Sequence, residues 1–186
     1  MWKISKKFEM AYGHRVHTQN LNNEFSCGAA PKCRMLHGHN AIIELSLRGQ
    51  TLDNRGFVVD FVELNWFKKF IDDTLDHKFI IDKADPMFRN IIPHYVNGEN
   101  IPAELPWKRK PEGYSIIDPN FFKTLYDKSL VEIYEGFVVV EFVPSSENLS
   151  KWLYDIAYNK MQTIGVEVES ILFYETPKSS SMYERE

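Results

Sequence analysis

Side chains two positions apart on a β-strand point to the same side, so His37 and His39, flanking Gly38, can converge on one ion. His14 ends an earlier alternating segment on its apolar face. Three imidazoles make up the donor set of an open catalytic zinc site, with one position left for water or substrate. Histidines satisfied by hydrogen bonds in a core or at a surface are the plainer reading of an isolated His-x-His, and spacing alone leaves both open. Cys33 stands four residues before His37, in Cys-Arg-Met-Leu-His-Gly-His. A cysteine there suits a fourth ligand, or a thiolate base or nucleophile whose pKa a nearby dication lowers. A small buried hydrophobe is the alternative, and it is the reading adopted for Cys27, which has no comparable relation to the histidines.

Asp76-His77 adds a carboxylate beside an imidazole, the pairing that general acid–base catalysis uses to orient and strengthen a base. A histidine interacting with a helix C-terminus gives the same dipeptide without catalysis. Glu175 continues the odd, apolar face of the last strand beyond Ile171 and Phe173. A carboxylate there is costly to bury without a partner. It suits two-pronged binding of a flat edge rich in N–H groups, or else marks a solvated strand end.

The elements that must position these groups follow from periodicity. Trp2, Ile4, Phe8, Met10, Tyr12 and His14 share the even face of a first strand. A second strand runs from about His37 to Arg48, its odd face carrying Ala41, Ile43, Leu45 and Leu47, and the simplest arrangement pairs the two antiparallel across loop 15–36. A short strand is expected over Phe57–Phe61. Asp60 and Glu63 then resemble a capping box ahead of a helix with Leu64, Phe67, Phe70, Ile71 and Leu75 on one face. After the apolar run Phe137–Val143, Pro144-Ser145-Ser146 leads into a second helix carrying Leu149, Trp152, Leu153, Ile156 and Ala157, stopped at Gly165. A last strand covers about Val166–Glu175. The pattern is α+β with mostly antiparallel strands, in a single domain over residues 1–186. Residues 84–135 hold six of the nine prolines and no sustained period before Phe121, so they read as an insertion with one short helix near 119–128.

Composition excludes several classes. The 186 residues carry 22 Lys and Arg against 26 Asp and Glu, a net charge of −4, which argues against sequence-independent binding of nucleic acid. No apolar run reaches the roughly 18 residues of a membrane span, and the N-terminal Met1-Trp-Lys-Ile-Ser-Lys-Lys-Phe lacks a signal-peptide core. Two cysteines are too few for a disulfide framework. A reduced, cytoplasmic chain is the expectation. A His-Glu-x-x-His helix is also missing, which disfavours a generic zinc hydrolase.

Taken in order, His14-Arg15, Cys33-x3-His37-Gly38-His39-Asn40, Val59-Asp60-Phe61, Leu75-Asp76-His77, Pro144-Ser-Ser-Glu147-Asn148 and Glu175-Thr176 resemble the 6-pyruvoyl-tetrahydropterin synthase family. The resemblance covers residues 8–83 and about 137–177. It implies a tunnelling fold (T-fold): an antiparallel sheet with two helices on one face, assembled into homo-oligomers with active sites at subunit interfaces. It implies Zn2+ on His14, His37 and His39, catalysis by Cys33 with the pair Asp76 and His77, and a pterin ring held by Glu175 beside Ser145 and Ser146. The Cys-x3-His-Gly-His spacing is similar to that of the 6-carboxy-tetrahydropterin synthase branch, whereas the 6-pyruvoyl branch tends to Cys-x5-His-Gly-His. The implied reaction converts 7,8-dihydroneopterin triphosphate to 6-carboxy-5,6,7,8-tetrahydropterin, acetaldehyde and triphosphate, within queuosine (7-deazaguanine) biosynthesis. The rivals are triphosphate elimination alone and a non-catalytic zinc- or pterin-binding module.

Overall fold

The computed structural model of the chain describes residues 1–92, 95–96, 99–100, 105–125 and 128–185. Its elements begin with β1 (Trp2–His14), α1 (Asn23–Ser26), β2 (His37–Gly49), α2 (Asn65–Thr74) and β3 (Lys78–Asp82). Shorter pieces follow: α3 (Phe88–Ile91), β4 (Tyr95–Val96), β5 (Glu99–Asn100), β6 (Trp107–Arg109), β7 (Ser115–Ile117), α4 (Pro119–Phe122) and α5 (Ser129–Glu135). The chain closes with β8 (Phe137–Val140), α6 (Ser146–Met161), β9 (Glu167–Thr176) and β10 (Ser179–Glu184). Two compact units result: Met1–Tyr12, His39–Asp76 and Ser145–Glu186 form the first, and Gly13–Gly38 with His77–Pro144 the second.

In the first unit the strand order is β10-β9-β2-β1, with β9 antiparallel to both its neighbours. Alternation decides its inner face. Phe8, Met10 and Tyr12 of β1, Ala41, Ile43, Leu45 and Leu47 of β2, and Ile171 and Phe173 of β9 are all buried. The other face is polar, and there the Ser5 hydroxyl donates to Glu44 Oε1 at 2.8 Å. Both long helices cover the apolar face. Phe67 of α2 meets Phe8 edge-on at 5.2 Å, and Phe70 meets Trp152 of α6 at 6.3 Å. Full burial of each large apolar side chain contributes roughly 1.5–3 kcal/mol. Gly165, at φ +72°, ends the 3-10 turn that follows α6, as a left-handed residue must.

Three local expectations differ here. Phe57–Phe61 is not a strand, because the Asp53 carboxylate takes the backbone N–H groups of Arg55 and Phe57 at 2.8 and 3.0 Å and withdraws them from any ladder. Asp60 caps a 3-10 turn over Phe61–Leu64, accepting from the Val62 N–H at 2.9 Å, rather than α2 itself. The strand β10 was not expected, since its serine-rich sequence shows no apolar alternation; it lies at the edge against β9.

In the second unit the order is β3-β8-β7-β6. Strands β3 and β8 run parallel, and β7 is antiparallel to β8 and β6. Continuous apolar runs at Phe79–Ile81 and Val138–Val140 suit strands covered on both faces. The sheet is therefore mixed rather than purely antiparallel. The described part of residues 84–135 is not a bare loop. It supplies β6 and β7, and Ile92, Leu105, Ile117, Leu125 and Tyr134 build a buried cluster with Ile81 and Val139. Three-residue strands are too short for a period-two signal to emerge, which hides them in the sequence. Part of the helix expected near 119–128 is seen as α4, while residues 126–127 lie outside the described residues.

Candidate functional site

The site begins where β1 ends. His14 is fully buried, and its Nδ1 lies 2.6 Å from the carbonyl oxygen of Pro144. His37 opens β2 with its Nδ1 2.9 Å from the Met35 carbonyl. A carbonyl only accepts, so in both rings Nδ1 carries a proton, and in the neutral ring that places on Nε2 the lone pair that a metal needs. The two rings lie 4.5 Å apart, centroid to centroid. His39 follows two residues along β2, and one ligand atom from each of His14, His37 and His39 lies within 4.8 Å of the others. Nitrogens bound at 2.0–2.1 Å to one tetrahedral ion stand about 3.4 Å apart. Modest ring rotations therefore close this set onto an ion, and neutral imidazoles backed by carbonyls are the donors that a zinc-type cation prefers. The three histidines that spacing singled out fit a metal. Cys33 is not part of this cluster.

Cys33 sits half-buried on a 3-10 turn over Lys32–Arg34. Its N–H donates to Gln19 Oε1 at 2.9 Å, and its carbonyl accepts from the Val16 N–H at 2.7 Å. Cys27 is exposed, not a buried hydrophobe; it adopts φ +52° and closes α1.

Asp76 follows α2 and accepts the Ala11 N–H on Oδ1 at 2.8 Å, which ties it to β1. His77 is exposed and takes φ +58°, a left-handed conformation that costs a non-glycine residue about 1–3 kcal/mol. Strain of this kind collects at functional positions. Glu175, half-buried near the end of β9, has Oε1 3.7 Å from His39 Nε2 and 3.5 Å from the Tyr12 hydroxyl. Tyr12 also sets its ring 5.9 Å from that of His39. Its place two residues before His14, on the same face of β1, was the only signal for it in the sequence. Ser145 caps α6, its hydroxyl accepting from the Asn148 N–H at 3.4 Å. Ser146 donates to the Glu147 carboxylate at 3.3 Å. The Glu147 N–H, helped by the hydroxyls of Ser145 and Ser146, holds that carboxyl below its ordinary range against the opposing effect of burial. The turn 144–146 thus supplies both a carbonyl to His14 and the cap of α6.

The model of the family "6-pyruvoyl tetrahydropterin synthase" matches residues 3–186. The chain belongs to that family. It is 28% identical to a 6-carboxy-5,6,7,8-tetrahydropterin synthase of Aquifex aeolicus, over all of this chain and 99% of the relative. Among solved structures, an uncharacterized protein of Wolinella succinogenes superposes with a TM-score of 0.89 at 42% identity, covering 100% and 98% of the two chains. The 6-pyruvoyl tetrahydropterin synthase of Caenorhabditis elegans follows at a TM-score of 0.56 and 18% identity, covering 100% and 96%, a likeness of fold. The architecture is accordingly the α+β T-fold, and the activity class is that of the family's pterin lyases.

Proposed function

We propose that this chain is a zinc-dependent 6-carboxy-5,6,7,8-tetrahydropterin synthase, a single T-fold domain acting on 7,8-dihydroneopterin triphosphate. The observation that carries the reading is the trio His14, His37 and His39, with Nδ1 of His14 and His37 engaged by backbone carbonyls. The full-length similarity to a relative of that name supports it, as does the Cys-x3-His-Gly-His spacing.

Bound zinc would polarise the side-chain hydroxyls of the substrate and so acidify the neighbouring C–H bonds. The remaining work falls to the protein. Cys33, as thiolate, takes a proton from the substrate side chain, and His77 with Asp76 moves the proton between oxygen and carbon. Glu175 accepts charge-assisted hydrogen bonds from the 2-amino group and ring N–H of the pterin, with Ser145 and Ser146 beside the ring. The balanced reaction takes up one water and releases triphosphate and acetaldehyde. The product enters queuosine-type 7-deazaguanine biosynthesis in the cytoplasm, in keeping with two free cysteines. Among the described residues no helix is long and apolar enough to cross a membrane. Copies of the chain associate through sheet edges such as β10 to complete interfacial sites, since unpaired edges favour pairing.

The test is a product assay with zinc-loaded protein and 7,8-dihydroneopterin triphosphate, read by mass spectrometry. Carboxy-tetrahydropterin with acetaldehyde is expected. Pyruvoyl-tetrahydropterin would assign the sister reaction, and metal binding without turnover would leave a binding module.

A further inference from the structure

The turn that bears Cys33 is held by segment 16–19, and that segment is itself pinned by two buried contacts, each between a basic side chain and an aspartate. Val16 and Gln19 grip both backbone polar groups of Cys33. On either side of Val16, Arg15 Nε lies 2.8 Å from Asp85 Oδ2, and His17 Nε2 lies 3.0 Å from Asp82 Oδ2. All four side chains are largely withdrawn from solvent, with Asp82 and Asp85 each 4% exposed.

The two carboxylates are built alike. Asp82 Oδ1 accepts the Ala84 N–H at 2.9 Å, and Asp85 Oδ1 accepts the Met87 N–H at 2.8 Å. The Asp85 N–H in turn donates to the Asp82 carbonyl at 3.0 Å. Each aspartate thus fixes its own turn with one oxygen and faces a basic side chain with the other, the Arg15 guanidinium or the His17 imidazole. A buried carboxylate needs such partners, and a rigid turn leaves the partner side chain one place to sit. Residues 82–87 are also where the segment 84–135 departs from β3, so its first residues belong to the platform under the cysteine turn.

We infer that Arg15–Asp85 and His17–Asp82 are positioning pairs that hold the Cys33 turn in its reactive geometry, with Gln19 as the last link. The inference rests on the catalytic role of Cys33 proposed above. A displacement of about 1 Å in a reacting group lowers turnover about 100-fold, which sets the scale for losing one link.

The experiment uses full-length, metal-loaded protein carrying Cys27→Ser, so that iodoacetamide reports on Cys33 alone. Asp85→Asn removes the charge facing Arg15 at nearly constant shape. Gln19→Met removes the acceptor without touching the buried pairs, and serves if Asp85→Asn does not fold. Each variant is expected to lower kcat about 10- to 100-fold at little changed KM and metal content, and to shift the Cys33 alkylation rate by about tenfold. Parent values of kcat and alkylation rate in both variants would overturn the inference. So would a loss of activity that tracks loss of metal while the thiol rate stays at the parent value. Cys33→Ala separates the two levels: if it turns over normally, the catalytic reading fails, and the alkylation rates alone then decide whether the pairs position the turn.

Discussion

Gly13 precedes the buried His14, and a methyl group there tests how tightly this end of the strand packs against Phe79. A Cβ at Gly13 would lie 2.5 Å from Cδ2 and 3.1 Å from Cε2 of Phe79. Ordinary contact begins near 3.4 Å, so the ring or the strand must yield by about 0.9 Å. Phe79 has little room to swing, because its ring packs edge-on against Phe137 at 6.2 Å and against the cluster around Ile81 and Val139. Overpacking of this kind costs about 1–3 kcal/mol. Replacing glycine by alanine at a compatible backbone position returns about 0.4–1 kcal/mol by restricting the unfolded chain. Gly13→Ala is thus expected to lose about 1.3 kcal/mol net, which for 150–250 residues is a fall in Tm of about 3–5 °C. Thermal unfolding should be followed with chelator present, so that metal binding does not add to the difference. In a cycle with Phe79→Ala the penalty should vanish, giving a coupling of about 1–3 kcal/mol. An unchanged or raised Tm for Gly13→Ala, with additivity within about 0.5 kcal/mol in the cycle, would refute the steric argument.

Three further outcomes are expected. His37→Ala should be isolated without stoichiometric metal by elemental analysis, and should lose the stabilisation of about 4 kcal/mol that a ligand at 1,000 times its Kd confers on the parent; retained metal would remove His37 from the donor set. Cys33→Ala should keep its metal while turnover collapses, and parent-level turnover would exclude the thiol from the chemistry. Glu175→Gln should weaken pterin binding, read by calorimetry, by about tenfold or more through loss of a charge-assisted pair, with metal content unchanged; equal loss of both would instead make the glutamate part of the metal centre.

Local pattern alone was enough to mark the long elements and the chemistry they carry. Alternation, broken at Lys6 in β1 and beside Ser170–Ile171 in β9, fixes which residues of β1, β2 and β9 face inward, because a strand has only two sides. The same rule puts His37 and His39 on one side and adds His14 to the buried face of β1. The spaced apolar residues of α2 and α6 were equally legible, since burial of one helical face repeats over several turns. Tertiary structure decided the rest. Strand β3 and the three-residue strands β6 and β7 are too short to show a period, and they exist because a partner strand completes their hydrogen bonds. Asp53 works against the strand expected at Phe57–Phe61 by taking the Phe57 N–H into a turn. The Met35 carbonyl is local to His37, whereas the Pro144 carbonyl that fixes the proton on His14 comes from a segment whose approach no spacing reveals. The same holds for Asp82 and Asp85, distant in sequence from Arg15 and His17 and joined to them because a buried polar group needs a partner.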